Sequence, residues 1–220
     1  QTPFETLLMT SNRFIISQKP VILPEPISAY AFNLGVINMA KGRLEEAKKY
    51  FHESVQFNPY ASIAYLMLGE IALMESDLPK VKSLTEKAMH MAYQKRDLGH
   101  SYYLLGKYYL ALKQKEPAVA CLVVARYYDA KLNVNDVFAK IESELEGRVK
   151  IPSSEGLQAI YKKYNLQLGP SRDIIGLIQE SSEAAIQKGS KKAALAILQV
   201  GYELTDSPYY LKKIKALEDA

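Results

Sequence analysis

Residues 28–61 read SAYAFNLGVINMAKGRLEEAKKYFHESVQFNPYA, and residues 62–95 read SIAYLMLGEIALMESDLPKVKSLTEKAMHMAYQK. Laid one over the other without a gap, they put Leu34–Gly35 on Leu68–Gly69, 34 residues apart, Ala31 on Tyr65 and Leu44 on Leu78. A third window, Gly99–Leu132, puts Leu105–Gly106 on the same pair at a spacing of 37, an insertion of three residues that falls in Tyr93–Asp97. Self-similarity at a fixed period of this size marks an array of like units, each too small to bury its apolar face alone.

Each window predicts two amphipathic helices. In the first, Ser28 is the expected N-cap of a helix over 29–41, where apolar residues recur at helical spacing. Gly42 breaks the chain, and residues 44–57 form the partner helix with Leu44, Ala47, Phe51 and Val55 facing inward. Asn58–Pro59 is expected to end that helix and start the next, since proline suits a first helical turn. Ser76–Asp77 makes the break in the second window. In the third, Asp97 is the expected cap, and Lys113–Glu116 turn the chain before Pro117.

This pattern resembles the tetratricopeptide repeat family. The residues that carry the resemblance are Leu34, Gly35, Ala47, Phe51 and Pro59 in the first copy. In the second they are Tyr65, Leu68, Gly69, Ala72 and Ala88, and in the third Tyr102, Leu105, Gly106, Tyr109, Ala118 and Ala125. Small residues such as Gly35, Gly69 and Gly106 let the two helices of a pair approach closely, and large ones fill the space beside them. Three positions depart from the family pattern: Ala31 stands where a large aromatic is usual, Asn38 where tyrosine is usual, and Val81 where a small alanine is usual. The resemblance implies an all-α superhelix, a solenoid of antiparallel helix hairpins with a right-handed twist, over 28–61, 62–95 and 99–132.

Outside that array the pattern is weaker. Residues 135–146 predict a helix, 147–154 a loop, and Ser153 or Ser154 with Glu155 the start of a short helix through Tyr164. After a loop at Leu166–Pro170, Ser171 caps a helix of about 172–188, Gly189–Ser190 turns, and 191–204 forms its partner. Gly189, Ala194 and Leu198 fit a degenerate fourth repeat. Residues 208–218 predict a closing helix with Lys212, Lys213 and Lys215 outward, the polar cap that a repeat array needs at its end. Thus 133–220 reads as degenerate repeats plus a cap, and the whole as one continuous array. Residues 1–27 precede it as a strap or linker: Thr6–Ser17 as a short helix, and Lys19–Pro26, with Pro20, Pro24 and Pro26 among apolar residues, as an extended tether.

Composition fits this reading. Of 220 residues, 48% are apolar and 24% charged, enough to bury a core and too apolar for a disordered chain. Glycine (11) and proline (10) are too few for a collagen-like or low-complexity chain. The net charge of +4 is mild, and its lysine pairs sit beside apolar residues as solvated helix faces. No basic stripe argues for nucleic acid. The single cysteine, Cys121, excludes an internal disulfide without fixing a compartment. No apolar run approaches the ~18 residues of a membrane helix, so membrane insertion is not expected. No signal peptide is visible. A chain beginning at Gln1 reads as a processed protein or a piece of a longer one.

In the resembled family the first helices of successive repeats line a concave groove. That geometry would place Phe32, Asn33, Val36 and Met39 there from the first copy. The second would give Ile63, Leu66, Met67, Glu70, Leu73 and Met74, and the third His100, Tyr103, Leu104, Lys107 and Leu110. The lining is mostly apolar, with a Glu70–Lys107 contact. Some family members hold the carboxylate tail of a chaperone with lysines, arginine and asparagines. The matching positions here are Phe32, Val36, Met67, His100 and Leu104, of which only His100 could meet a carboxylate, so a carboxylate clamp is not expected. An apolar, methionine-containing groove suits an amphipathic helix or an apolar extended segment of a protein partner. The competing expectation is a groove filled by residues 1–26 or by the C-terminal helices.

No catalytic constellation is visible. His52, His90 and His100 lack the i, i+4 spacing of a helical metal site and join no cysteine or carboxylate cluster. Cys121, among Ala120, Leu122 and Val123, reads as a packed thiol. There is no phosphate loop, nucleophile elbow or dinucleotide fingerprint. The pairs Tyr102–Tyr103, Tyr108–Tyr109, Tyr127–Tyr128 and Tyr209–Tyr210 would suit base stacking. Adjacent helical residues point about 100° apart, however, so each pair should divide between core and surface. The function expected is a protein- or peptide-binding scaffold without cofactor or metal. The alternative is a regulatory or substrate-recruiting domain of a larger enzyme or peptide sensor.

Overall fold

The computed structural model describes Phe4, Leu7, Leu8 and residues 26–145 and 147–219. The expectations for Thr6–Ser17 and Lys19–Pro26 lie outside the described residues, apart from Leu7, Leu8 and Pro26. The fold is all-α. Among the described residues eleven helices follow one another: α1 (Ile27–Ala40), α2 (Leu44–Phe57), α3 (Ser62–Met74), α4 (Leu78–Met91), α5 (Lys95–Ala111), α6 (Lys115–Tyr128), α7 (Val134–Glu144), α8 (Ser154–Lys163), α9 (Arg172–Gln187), α10 (Lys191–Thr205) and α11 (Pro208–Glu218).

Three hairpins, α1–α2, α3–α4 and α5–α6, repeat one local design. Each turns through a residue in left-handed conformation at the same register position: Gly42 (φ 72°), Ser76 (φ 61°) and Lys113 (φ 58°). Each turn closes with the same pair of bonds, Gly42 N–H to Met39 C=O and Arg43 N–H to Asn38 C=O in the first. These satisfy carbonyls that the helix end would leave unpaired. Glycine carries the left-handed turn without steric cost at Gly42, and again at Gly189 (φ 69°) between α9 and α10.

The small residues permit close helix contact. A β-carbon at Gly35 would lie 2.6 Å from the Phe51 ring, and one at Gly106 would lie 2.7 Å from Leu122 Cγ. Ala47 and Phe51 are fully buried and join Leu68 and Ile71 of the next hairpin in one cluster. Gly35→Ala should therefore cost about 1–2 kcal/mol, the overpacking exceeding the gain in helix propensity. The urea midpoint measures it, and an unchanged midpoint would refute the close-packing role.

Several helix boundaries differ from expectation for local reasons. Pro26, not Ser28, is the N-cap of α1. Ser28 instead exchanges hydrogen bonds with Ser54 of α2: its hydroxyl donates to the Ser54 carbonyl (3.0 Å), and the Ser54 hydroxyl returns one to its own (2.9 Å). Pro59 lies in a turn, with Ser62 opening α3. Asp97 is inside α5, whose N-cap is Gln94, and its buried carboxylate accepts from the Ser62 hydroxyl. By contrast, Ser153 and Ser171 cap α8 and α9 as expected, accepting from Gly156 N–H and Ile174 N–H.

The last third does not extend the stack end to end. Helices α7 and α8 pack on α6, with Val134, Val137, Ile141 and Tyr161 closing its outer side. The α9–α10 hairpin packs back against α4. Ile174, Leu177 and Ile178 share a core with Tyr60, Met91, Ala92, Tyr93 and Leu98, which lie where one hairpin passes to the next. The Ser171 hydroxyl donates to the His90 carbonyl (2.8 Å), and Lys95 pairs with Asp206 at the end of α10. Phe4 and Leu8 are buried in that same core. α11 covers α10, its Tyr210 ring filling the space over Gly201.

Candidate functional site

Helices α1, α3 and α5 are the first members of the three hairpins, and α3 and α5 are direct neighbours. The expected groove residues fall into three groups. Val36 and Met74 are exposed, and Phe32, Met39, Met67, Leu73, His100, Tyr103 and Lys107 are half-buried. Glu70 is buried at 7% exposure. Leu66 and Leu104 present no surface at all. They pack with Ala72, Val81 and Ala88, and Leu104 lies over Gly69, so both belong to the core. Leu110 is buried too, beside the tyrosines of α5. The helical period alone could not tell these positions from their groove-facing neighbours, because α3 is apolar nearly all round.

The apolar part of the surface joins α1 to α3. Phe32, Met39 and Met67 all lie against the Ala47–Phe51–Leu68–Ile71 cluster, and the Phe32 and Phe51 ring centroids are 5.6 Å apart. Their roots are fixed in packed core while their outer atoms reach solvent; Val36, four residues after Phe32, and Met74, seven after Met67, are exposed.

The polar part is a closed cluster between α3 and α5. Lys107 Nζ donates to Glu70 Oε2, and His100 Nε2 lies 3.5 Å from Glu70 Oε1. Lys107 Nζ also sits over the Tyr103 ring, 5.3 Å from its centroid. Burial by itself pushes the Glu70 carboxyl up. The His100 hydrogen bond and the charge and hydrogen bond of Lys107 outweigh it and hold the group below its ordinary value. Burial first, and then the charges of Glu70 and Asp136, push the Tyr103 hydroxyl up. Sequence register had linked Glu70 to Lys107; the third member, His100, comes in because it lies seven residues, two turns, before Lys107 on α5.

Cys121 is fully buried, and burial pushes its thiol up to about 12. It is a packed thiol, protonated at neutral pH and so a poor nucleophile. Among the described residues no group of three or more histidine, cysteine or acidic side chains converges as a metal site would require. Within the same residues no helix is long and apolar enough to cross a membrane. The tyrosine pairs divide as their geometry requires: Tyr102 and Tyr210 are buried while Tyr103 is half-buried and Tyr209 exposed, and Tyr127 is 68% exposed beside a half-buried Tyr128.

Tetratricopeptide repeat family models match residues 28–61 and 99–123. No curated protein and no solved structure matches the chain. Tetratricopeptide repeats in general mediate protein–protein interaction. The first matched stretch spans the α1–α2 hairpin and the second lies within α5–α6; α3–α4 between them has the same turn, with Gly69 placed against Leu104 of α5 rather than against its own partner helix. With three hairpins of one design in sequence, residues 28–128 form an array similar to tetratricopeptide repeats.

Proposed function

We propose that this chain binds a protein partner through the surface of α1, α3 and α5, and that the bound segment is an amphipathic helix or an apolar extended stretch. The observation that carries this reading is how His100 and Lys107 are placed there. His100 and Lys107 both face Glu70, so the groove's positive charge is matched from within the chain. What it offers outward is Val36, Met39, Met67 and Met74. Methionine adapts its shape to a partner, and apolar burial supplies the affinity. Repeat proteins of this kind are typically interaction modules.

Salt separates this mode from a carboxylate clamp. Partner segments are first recovered by crosslinking from a photoreactive residue at Val36 and then synthesised. Binding of such a peptide, read by calorimetry, should change less than about twofold between roughly 50 and 500 mM salt, because screening weakens charge pairs and leaves apolar contacts intact. Blocking its C-terminal carboxylate as an amide should leave the affinity unchanged. Val36→Asp and Met67→Asp should each weaken it by about tenfold or more. Affinity that collapses with salt, or that survives both substitutions, would sink the apolar-groove reading.

A further inference from the structure

Helix α1 is apolar on a second face, away from the residues that join α3. Tyr30, Leu34 and Ile37 follow one another at i, i+4 and i+7, which puts them on one stripe, and they are 55%, 42% and 48% exposed. The repeat register says what kind of surface this is. One copy on, the same positions are Ala64, Leu68 and Ile71, all buried, with Leu68 and Ile71 against Ala47 and Phe51 of α2. Two copies on they are Ser101, Leu105 and Tyr108, with Leu105 buried in one cluster with Met89 of α4. In both later copies the stripe docks a first helix on the second helix of the copy before it. In the first copy the same stripe is exposed.

We infer that this stripe is an isologous interface, by which α1 of one chain packs on α1 of a second copy of this chain about a two-fold axis. Two observations select a second copy packed in that way. The complementary surface in the array is the outer side of a second helix, and each such side is taken: α2 by α3, α4 by α5, α6 by α7 and α8. Among the described residues a second copy therefore cannot add head to tail, and the surface they leave to meet α1 is another α1. An isologous contact also sets each residue near its own twin, so any charged side chain would meet its like. Among the described helices α1 is the one with no aspartate, glutamate, lysine, arginine or histidine. One helix stripe is small beside a standard interface, so the dimer is a weak one, with a dissociation constant on the order of 10–100 µM. This contact is independent of the proposed groove, and peptide binding need not change with it.

Sedimentation velocity of the full chain over roughly 1 to 500 µM tests it, since mass action makes the dimer concentration-dependent. The weight-average mass should climb from 24.7 kDa toward twice that value. Leu34→Glu and Ile37→Glu should each hold the protein monomeric with unchanged helical circular dichroism. Leu112→Glu, at an exposed leucine ending α5, should leave association as it was. Leu34→Cys should give an oxidised dimer on mild oxidation, because Cys121 is buried. A monomer throughout the range, or a dimer that survives both glutamates, overturns the inference. So does a Leu34→Glu monomer whose melting temperature drops by several degrees, since the stripe would then be covered within the chain.

Discussion

Tyr102→Ala is expected to lower the unfolding free energy by about 4 kcal/mol. The side chain is fully buried, and its ring lies 5.7 Å from that of Tyr128, stacked, and 6.1 Å from that of Tyr161, edge-on. Its hydroxyl donates to the Gln167 carbonyl (2.9 Å) and accepts from Gly169 N–H (2.7 Å). One residue of α5 thus holds the segment through which the chain turns from α8 back toward α4. Truncating a buried aromatic ring costs about 3–5 kcal/mol, and here a buried amide also loses its partner. Tyr102→Phe separates the two parts: it keeps the ring contacts and should cost about 1–2 kcal/mol. Urea unfolding at neutral pH measures both. Hydrogen exchange in the phenylalanine variant should speed up first around residues 166–175, while the hairpin cores keep their protection. A Tyr102→Phe protein as stable as the parent would show that the hydroxyl does not hold the segment.

Tyr102 also marks where the sequence stops being informative. Its burial was legible, because the repeat register places it on the packed side of α5. Its hydroxyl partners were not, because they lie 65 and 67 residues away on a loop with no repeat of its own. The same holds for the whole α9–α10 hairpin. Its helices, its Ser171 cap and its Gly189 turn could be read locally, as caps and left-handed turns are set by a few adjacent residues. Its docking is set by shape against Tyr60, Met91 and Leu98, and no period or cap encodes a contact of that range.

The candidate site divides in a similar way. Register found the Glu70–Lys107 pair, since residues at equal phase on neighbouring first helices meet. The assignment of Leu66 and Leu104 to the groove failed because α3 and α5 are buried around more of their circumference than a surface helix is. The departures from the family pattern have structural counterparts. Ala31 is small and buried, Asn38 donates its side-chain amide to the Leu34 carbonyl one turn back (2.8 Å), and Val81 is fully buried in the cluster of Leu66 and Leu104.

Glu70→Lys should cost about 3 kcal/mol, because it removes the carboxylate that His100 and Lys107 face and sets a second ammonium against Lys107 at a site with little water. Glu70→Gln is the milder test, since it keeps the shape and removes the charge. Lys107, with 28% of its side chain accessible, can then turn toward solvent, so about 1–2 kcal/mol should be lost at pH 7. The pH dependence has a definite sign. The folded carboxyl lies below its ordinary value of 4.5, so its contribution is full above that value and is lost as pH falls through the lower, folded one. The stability gap between parent and Glu70→Gln should therefore be widest near neutral pH and shrink as the pH falls below 4.5 and through the lower, folded value. Equal urea midpoints at pH 7 would show that the cluster contributes nothing. The same variant tests what Glu70 does for binding. With its carboxylate gone, Lys107 and His100 face the groove unmatched, and an acidic peptide should bind with marked salt sensitivity while the parent ignores it. If the parent binds that peptide equally well, Glu70 does not shield Lys107 and His100, and a purely apolar partner loses its main support.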